Sequence, residues 1–282
     1  MLYKYKSFSN SENLNYTIDS LMNKYLYFSR PSELNDPFDC QIQVDTNAKG
    51  RTFNIWRNEM IKESDVDKQF LTIDYTNQLF NDPKILNGMK TLTHLMVESN
   101  HLLSLTTDCL NESMWALYAG NYNGLCLGYN IDSNILSFLP KKVEFCVEEG
   151  EIITPSNNHD IKFKQIEYDN NGKHIMKLFS SRASQIKEIN YNLRHKKKCW
   201  ISENEYRAII HDADYEIFDL RKKIVKVFYD DNLLEEIIFG HQVSLATMKM
   251  IMNMIKTNYS NHVKFYRIKI DLEKYCLLKE EI

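Results

Sequence analysis

The sequence predicts an α+β protein with a mixed or antiparallel sheet core and flanking helices. Hydrophobic residues make up 43% and charged residues 26% of the 282 residues, which is ordinary usage for a globular chain. Some segments alternate apolar and polar residues, as strands do, and others repeat apolar residues at helical spacing. The two kinds of segment follow one another in irregular order. Few segments follow the strand–helix–strand pattern of a parallel sheet, so a doubly wound α/β fold is disfavoured.

The first half of the chain is predicted to contain short strands and several helices. Tyr3 and Tyr5 alternate with lysines over residues 2–6, which is typical of a strand, and Ser11 is a suitable N-cap for a helix over 12–23. Further strands are predicted at 25–29, 102–106, 124–129 and 143–153, and helical structure at 53–98 and 111–119. The helix before residue 98 is expected to restart at Asp82-Pro83.

The second half is predicted to continue the same sheet within one domain, 1–282. A polar, turn-rich stretch over 155–172 is predicted to be a mobile insertion. Helices are predicted at 175–193 and 244–256, and strands at 200–210, 224–229, 236–239 and 263–270.

Charge and cysteine usage narrow the classes of function. The formal net charge is −3, so contact with nucleic acid would need a local basic patch. The six cysteines show no CxxC spacing and the eight histidines no HExxH, so no metal site is expected. Without a signal-peptide pattern or an apolar run of membrane-spanning length, we expect a cytoplasmic location and no membrane partner.

Two glutamates, Glu203 and Glu205, are the first candidate for catalysis. They lie two residues apart on a predicted strand, so both carboxylates would point to the same face. Paired carboxylates are typical of sites that move protons or stabilise positive charge. The alternative is an edge strand on which both glutamates face water.

Two other strands carry candidate binding residues. Ser104 and Thr106 share a strand face, where their hydroxyls could bond a ribose or orient a carboxylate, unless they are ordinary strand residues. Tyr3, Lys4 and Tyr5 could cover a flat ring and neutralise a phosphate. The alternative is a pair of half-buried tyrosines beside a solvated lysine.

A predicted helix and a basic run complete the candidates. Trp115 and Tyr118 are three residues apart on the helix and could form a pocket wall, although core packing is the alternative. The basic run 194–198 could bind the phosphates of an acceptor, or it could be a solvated helix end. Its cations are Arg194, Lys196, Lys197 and Lys198.

Stretches across the whole chain resemble a bacterial family, the domain of unknown function 2971. The matching stretches are 2–5, 27–39, 103–106, 114–119, 124–128 and 200–207. The resemblance brings no activity with it.

The motifs also resemble those of R-S-E type ADP-ribosyltransferases. These enzymes carry an N-terminal cation, a hydroxyl-rich strand and a later ExE, and here Lys4, 104–106 and 203–205 stand in that order. Lysine replaces arginine in the first motif, and Leu105 stands where a serine or threonine is usual. The resemblance implies an ADP-ribosyltransferase-like fold, with NAD as substrate and no metal.

The same resemblance implies roles for the motif residues. Glu205 would bind a ribose hydroxyl and face the developing positive charge, and Glu203 would orient or deprotonate the acceptor. Ser104 and Thr106 would support Glu205 and the ribose, Lys4 would hold a phosphate, and a tyrosine would stack on nicotinamide.

The resemblance also implies a toxin or effector in phage defence or a toxin–antitoxin system. The acceptor would be a macromolecule, RNA slightly before DNA or protein, and an antitoxin or regulatory protein would control the enzyme. One alternative is a metal-dependent nuclease that uses Asp36, Glu203 and Glu205. Another is a sensor or binding module without catalysis.

Overall fold

The chain forms two compact units in the computed structural model. The structure describes residues 1–47, 50–63, 78, 82–132, 134–170, 174–217 and 221–282. Unit 1 consists of Met1–Ser29, His101–Ile166 and Cys199–Ile282, and unit 2 of Arg30–Asn100 and Glu167–Lys198. Because the two segments of unit 2 interrupt unit 1, no single linker in the sequence marks the boundary.

Most of the helices begin after a residue whose side chain accepts a hydrogen bond from a free amide of the first turn. The helices among the described residues are α1 (Ser11–Met22), α2 (Gly50–Glu63), α3 (Pro83–Glu98), α4 (Glu112–Tyr118), α5 (Arg182–Asn192) and α6 (Leu245–Asn258). Asp82 accepts a bond from the amide of Lys84, so the predicted helix start at Asp82-Pro83 is confirmed. The cap of α1 is Asn10 rather than Ser11.

Strands supply most of the remaining regular structure. In chain order they are β1 (Leu2–Ser7), β2 (Tyr25–Phe28), β3 (Ile42–Asp45), β4 (Asn100–Thr106), β5 (Gly124–Tyr129), β6 (Ser137–Phe138), β7 (Lys142–Val147), β8 (Ile152–Ile153), β9 (Ile161–Gln165), β10 (Glu167–Asp169), β11 (His174–Lys177), β12 (His195–Lys197), β13 (Glu205–His211), β14 (Lys223–Phe228), β15 (Leu234–Phe239), β16 (Lys264–Asp271) and β17 (Cys276–Glu281). The predicted α+β class is therefore confirmed.

Unit 1 contains two sheets. The larger has nine strands in the order β17-β16-β15-β5-β1-β4-β13-β9-β6, and the smaller has four in the order β2-β14-β7-β8. The larger sheet is mixed, because β15 and β16 are parallel whereas β1 and β5 are antiparallel. Helix α6 connects β15 to β16, as a parallel connection requires.

The core of unit 1 contains apolar side chains from both sheets. Leu103 and Ile237 of the larger sheet belong to the same buried cluster as Phe28, Phe145 and Val225 of the smaller one. Burying a side chain of this size stabilises the folded state by about 1.5–3 kcal/mol. Buried side chains alternate with more exposed ones along β14, so Lys226 lies on the face that points away from this core.

The larger sheet opens between β1 and β4. Within these two described strands the register consists of one pair, Tyr3 with Thr106. Towards its start, β4 turns to the segment after β2, where Leu102 and Ser29 exchange two main-chain hydrogen bonds. Strand β4 therefore contacts both sheets. Beside the opening, the carbonyl of Ser104 accepts its hydrogen bond from a side chain.

Three predicted elements are wrong in extent. The strand predicted over 143–153 is divided into β7 and β8 by the 3₁₀ turn Glu148–Gly150. Lys198–Glu203 is a 3₁₀ helix, and the strand predicted over 200–210 begins only at Glu205, after Asn204 with φ of +43°. Asparagine is enriched in this left-handed conformation, which ends extended structure. The helix predicted over 175–193 starts at Arg182, because His174–Lys177 pairs with β3.

The stretch predicted as an insertion forms strands. Residues 161–165 are β9, which pairs with β13 in the larger sheet, and 167–169 are β10, which pairs with β12 in unit 2. The side chains of Ile161 and Phe163 are buried, so their alternation outweighs the polar composition of the stretch. Residues 64–77 and 79–81 of the helical structure predicted over 53–98 lie outside the described residues.

A buried ionic cluster lies in unit 1. Asp212 Oδ1 is 2.9 Å from His101 Nε2, and Asp212 Oδ2 is 3.0 Å from Lys223 Nζ. All three side chains are nearly inaccessible to solvent. Removing one partner from such a cluster leaves an uncompensated buried charge, which is strongly destabilising.

We expect Asp212→Asn to lower the free energy of unfolding by about 3 kcal/mol or more, because the buried Lys223 loses its carboxylate partner. Urea denaturation measures this change. The exposed neighbour Asp214 provides the control, and Asp214→Asn should change stability by at most about 0.5 kcal/mol. Equal stability of the two variants would contradict a stabilising role for the cluster.

Candidate functional site

Three polar residues from separate strands meet where the larger sheet opens. Lys4 Nζ donates a hydrogen bond to the main-chain oxygen of Ser104 at 2.9 Å. Ser104 Oγ donates to Glu205 Oε1 at 2.5 Å. Ser104 thus joins β1 to β13 through its carbonyl on one side and its hydroxyl on the other. The expected meeting of the three motif strands is present, whereas the roles of the residues remain predictions.

Arg207 holds Glu205 from the same strand. Its Nε donates to Glu205 Oε1 at 2.7 Å, and the two side chains are 1% and 4% exposed. Residues two apart on a strand share a face, so Glu205 and Arg207 lie side by side. A buried guanidinium favours the ionised form of the carboxylate. We did not predict Arg207 from the sequence, although its same-face spacing from Glu205 was the available signal.

Glu203 is placed by a turn instead of by the strand. It ends the 3₁₀ helix, and Tyr118 OH donates to Glu203 Oε1 at 2.5 Å. Glu203 is 5% and Glu205 3% exposed. The alternative in which both glutamates face water is therefore wrong. The prediction that they lie side by side on one strand is also wrong, because Asn204 turns the chain between them.

Side-chain amides fix the turn that carries Glu203. Asn111, the cap of α4, donates from Nδ2 to the main-chain oxygen of Ser202 at 2.6 Å. Asn204 donates from Nδ2 to Thr107 Oγ1. Both bonds connect the turn to the segment after β4, so Glu203 and Glu205 are held against the same part of unit 1.

A cleft lies between β1, helix α1 and the smaller sheet. Its volume is about 610 Å³, within the usual range for pockets that bind small ligands. Three lysines line it, Lys4, Lys6 and Lys226. Five tyrosines line it as well: Tyr5, Tyr16, Tyr25, Tyr27 and Tyr118. Cations and aromatic rings together suit a ligand that carries both phosphate and planar groups.

The charge of Lys4 is sensitive to pH near neutrality. Burial and, to a smaller extent, the charge of Lys6 lower the pKa of Lys4 to about 7, although Glu205 and Glu203 act to raise it. The charged fraction of Lys4 therefore falls as the pH rises through about 7. Burial also lowers the pKa of Lys6.

Trp115 and Tyr5 are core residues. Trp115 is 0% exposed and its Nε1 donates to the carbonyl of Cys109, so the prediction that it forms a pocket wall is wrong. The rings of Tyr5 and Trp115 meet edge to face, and Tyr5 OH donates to the carbonyl of Asp108. Trp115 is therefore closed to a ligand, whereas Tyr5, although 5% exposed, contributes to the lining of the cleft.

Tyr3 and Thr106 also serve local structure. Burial raises the pKa of Tyr3, and nearby Cys109 and Glu236 raise it further. Thr106 is buried and accepts a bond from the amide of Asp108 at 3.2 Å, which supports the turn after β4. Of the aromatic residues predicted to bind the cofactor, Tyr118 is therefore the one that combines a place in the cleft with a bond to Glu203.

The predicted acceptor-binding run lies in unit 2 and is not a continuous exposed patch. It continues into strand β12 instead of ending a helix. Lys196 is buried with its Nζ 3.7 Å from Asp39 Oδ2, so it cannot meet an acceptor. Lys197 Nζ lies 3.4 Å from the centre of the Phe38 ring. Arg194 and Lys197 are half-buried, and Lys198 is exposed.

Neither a cluster of metal ligands nor a membrane-spanning helix occurs within the described ranges. No group of three or more histidine, cysteine, aspartate or glutamate side chains there is arranged to hold a metal ion. No helix in that part of the chain is both long and apolar enough to cross a membrane.

Comparison with known proteins identifies one family. The family model described as a protein of unknown function, DUF2971, matches residues 114–208. The match includes Tyr118, Glu203, Glu205 and Arg207, and it confirms the resemblance to this family for the stretches 114–119, 124–128 and 200–207. No curated protein and no solved structure matches the chain.

The Glu205–Arg207 pair should matter for stability. We expect Arg207→Met to lower the free energy of unfolding by about 3–5 kcal/mol, because the buried Glu205 carboxylate loses a cationic partner. The double variant Glu205→Gln/Arg207→Met should recover part of this loss. Urea denaturation of the single and double variants measures the coupling between the two side chains.

An exposed ion pair provides the control. Arg221 and Glu151 are 2.7 Å apart, but their side chains are 44% and 54% exposed. Arg221→Met should therefore cost at most about 1 kcal/mol. The account of the buried pair fails if Arg207→Met costs no more than Arg221→Met.

Proposed function

We propose that the protein is an NAD-consuming ADP-ribosyltransferase that modifies a macromolecule. The observation that carries the proposal is the hydrogen-bonded series Lys4–Ser104–Glu205, in which one residue comes from each of three strands. Their residue types and order are similar to the three motifs of R-S-E type ADP-ribosyltransferases. The adjacent cleft, lined by lysines and tyrosines, gives further support.

The proposed reaction breaks the bond between nicotinamide nitrogen and ribose carbon. The bonding electrons leave with nicotinamide, and positive charge develops on the ribose. The Glu205 carboxylate would stabilise this charge, and Ser104 and Arg207 keep it in place. A nucleophilic atom of the acceptor then bonds to the ribose carbon and transfers its proton to Glu203, which Tyr118 orients.

The cleft would bind the rest of NAD. Lys4 is proposed to neutralise a phosphate, and a tyrosine of the cleft to stack on nicotinamide. Since the charged form of Lys4 binds phosphate, its lowered pKa makes this contact weaker as the pH rises above about 7.

The acceptor and the biological setting are proposed from the resemblance. We propose an RNA, DNA or protein acceptor and a cytoplasmic toxin or effector in phage defence or a toxin–antitoxin system, controlled by a partner protein. The burial of Lys196 removes part of the support for RNA as the preferred acceptor.

The two glutamates should differ in their effects on activity. Glu205→Gln should abolish both transfer and slow NAD hydrolysis, with a loss of about 10²–10³-fold or more, because the charge facing the ribose is removed. Glu203→Gln should reduce transfer by about 10²-fold, whereas water can still consume NAD. Nicotinamide release with and without cell lysate measures the two activities.

The control for these variants is Glu273→Gln, which changes an exposed glutamate. It should leave both activities unchanged, and thermal melting should show that all three variants are folded. Transfer retained in folded Glu205→Gln would contradict the proposed reaction. A folded wild type that binds NAD without releasing nicotinamide would favour a sensor or binding module instead.

Expression in a bacterial host tests the proposed toxin role. Wild-type protein produced without a partner should arrest growth, because NAD is consumed and host macromolecules are modified. Glu205→Gln at the same expression level should restore growth. Normal growth at high wild-type expression would contradict the toxin role without bearing on the reaction itself.

A further inference from the structure

Lys6 is a second cation that lines the cleft. It points to the same side of β1 as Lys4, two residues earlier. Lys4 has the Ser104 carbonyl as acceptor and two glutamates that favour its charge. Among the described residues, no aspartate or glutamate lies within ion-pair distance of Lys6, and burial lowers its pKa.

The opposite wall of the cleft adds another cation. Lys226 Nζ lies 4.6 Å from the centre of the Tyr25 ring. Glu144 stands opposite Lys226 in the strand register, but its carboxylate accepts a bond from Lys142 at 2.6 Å. The wall around Lys226 is therefore aromatic and positively charged.

Asp19, the acidic residue in the cleft lining, already accepts hydrogen bonds from neighbouring side chains. Asp19 accepts a bond from Tyr25 OH at 2.5 Å through Oδ2 and from Asn23 Nδ2 at 2.7 Å through Oδ1. Three lysines therefore line the cleft beside one aspartate that has its own donors. An ammonium taken out of water without a counter-charge is costly, and a bound anion would offset that cost.

We infer that Lys6 and Lys226 form a phosphate-binding subsite in the cleft, separate from the contact made by Lys4. Lysine is a common phosphate ligand because its ammonium is a compact charge with three donors. This subsite rests on the proposed function in one respect, which is the expectation that the ligand is a dinucleotide. The phosphate could come from a dinucleotide or from a separate phosphate group, and the test distinguishes these sources.

Calorimetric titration with ADP-ribose and with inorganic phosphate tests the subsite. Lys6→Met and Lys226→Met should each weaken ADP-ribose binding about tenfold or more, the value of a charge-assisted bond. Lys269→Met, in the exposed pair with Glu280, should bind like the wild type. Binding of ADP-ribose much tighter than phosphate identifies a dinucleotide as the source, whereas equal affinities identify a separate phosphate group.

Melting of the ligand-free variants separates binding from structure. Because Lys6 has no counter-charge, Lys6→Met should keep or raise the melting temperature while ligand binding is lost. A lowered melting temperature for Lys6→Met, or wild-type affinity in that variant, would overturn the inference. Binding that depends on Lys6 without nicotinamide release would leave the subsite intact and contradict only the proposed function.

The pH dependence of ADP-ribose binding gives a second readout, since its diphosphate keeps its charge between pH 6 and 9. The charged or titratable groups that face Lys4 or line the cleft are Lys6, Glu203, Glu205, Arg207, Asp19, Lys226 and the cleft tyrosines. Binding favours charged Lys4, so affinity should fall as the pH rises from 6 to 9. Because Lys6 lowers the pKa of Lys4, Lys6→Met should shift this fall to higher pH. An unchanged midpoint would contradict the electrostatic contact between the two lysines.

Discussion

The separation of β1 from β4 is the constraint on which the candidate site depends. The two strands pair at Tyr3 and Thr106 and then part, because β4 continues towards the segment after β2. Beyond that pair, the ammonium of Lys4 donates to the main-chain oxygen of Ser104. One strand can thus present its carbonyl to a lysine and its hydroxyl to Glu205. Strand β1, which borders the opening, also lines the cleft.

Burial and charge work together around this opening. Glu205 can be buried because Ser104 and Arg207 bond its carboxylate, and Glu203 because Tyr118 does so. The cleft differs from this buried site in its charge, because three lysines and one aspartate line it. A buried carboxylate held by hydrogen bonds can act as a fixed charge, whereas a cleft with more lysines than acids can accept an anionic ligand. The two halves of the site therefore suit opposite charges on one ligand.

The motif strands could be predicted from the sequence because each carries a local signal. Similarity in residue type and order to the R-S-E motifs indicated that Lys4, Ser104 and Glu205 belong to one site, and their hydrogen bonds join them. The turn at Asn204, the core position of Trp115 and the burial of Lys196 against Asp39 could not be predicted, because each depends on contacts between distant parts of the chain. The strand over 161–165 also depends on a distant part of the chain, because it pairs with β13. The polar composition around it indicated an insertion instead of a strand.

The rate at which purified protein releases nicotinamide from NAD tests the central claim most directly, with Ser104→Ala as the comparison. The substitution removes the hydroxyl that donates to Glu205 and keeps the main-chain oxygen that accepts from Lys4. We expect release by the wild type and a rate about tenfold or more lower for folded Ser104→Ala. A folded wild type that releases no nicotinamide, or a Ser104→Ala rate equal to that of the wild type, would contradict the account.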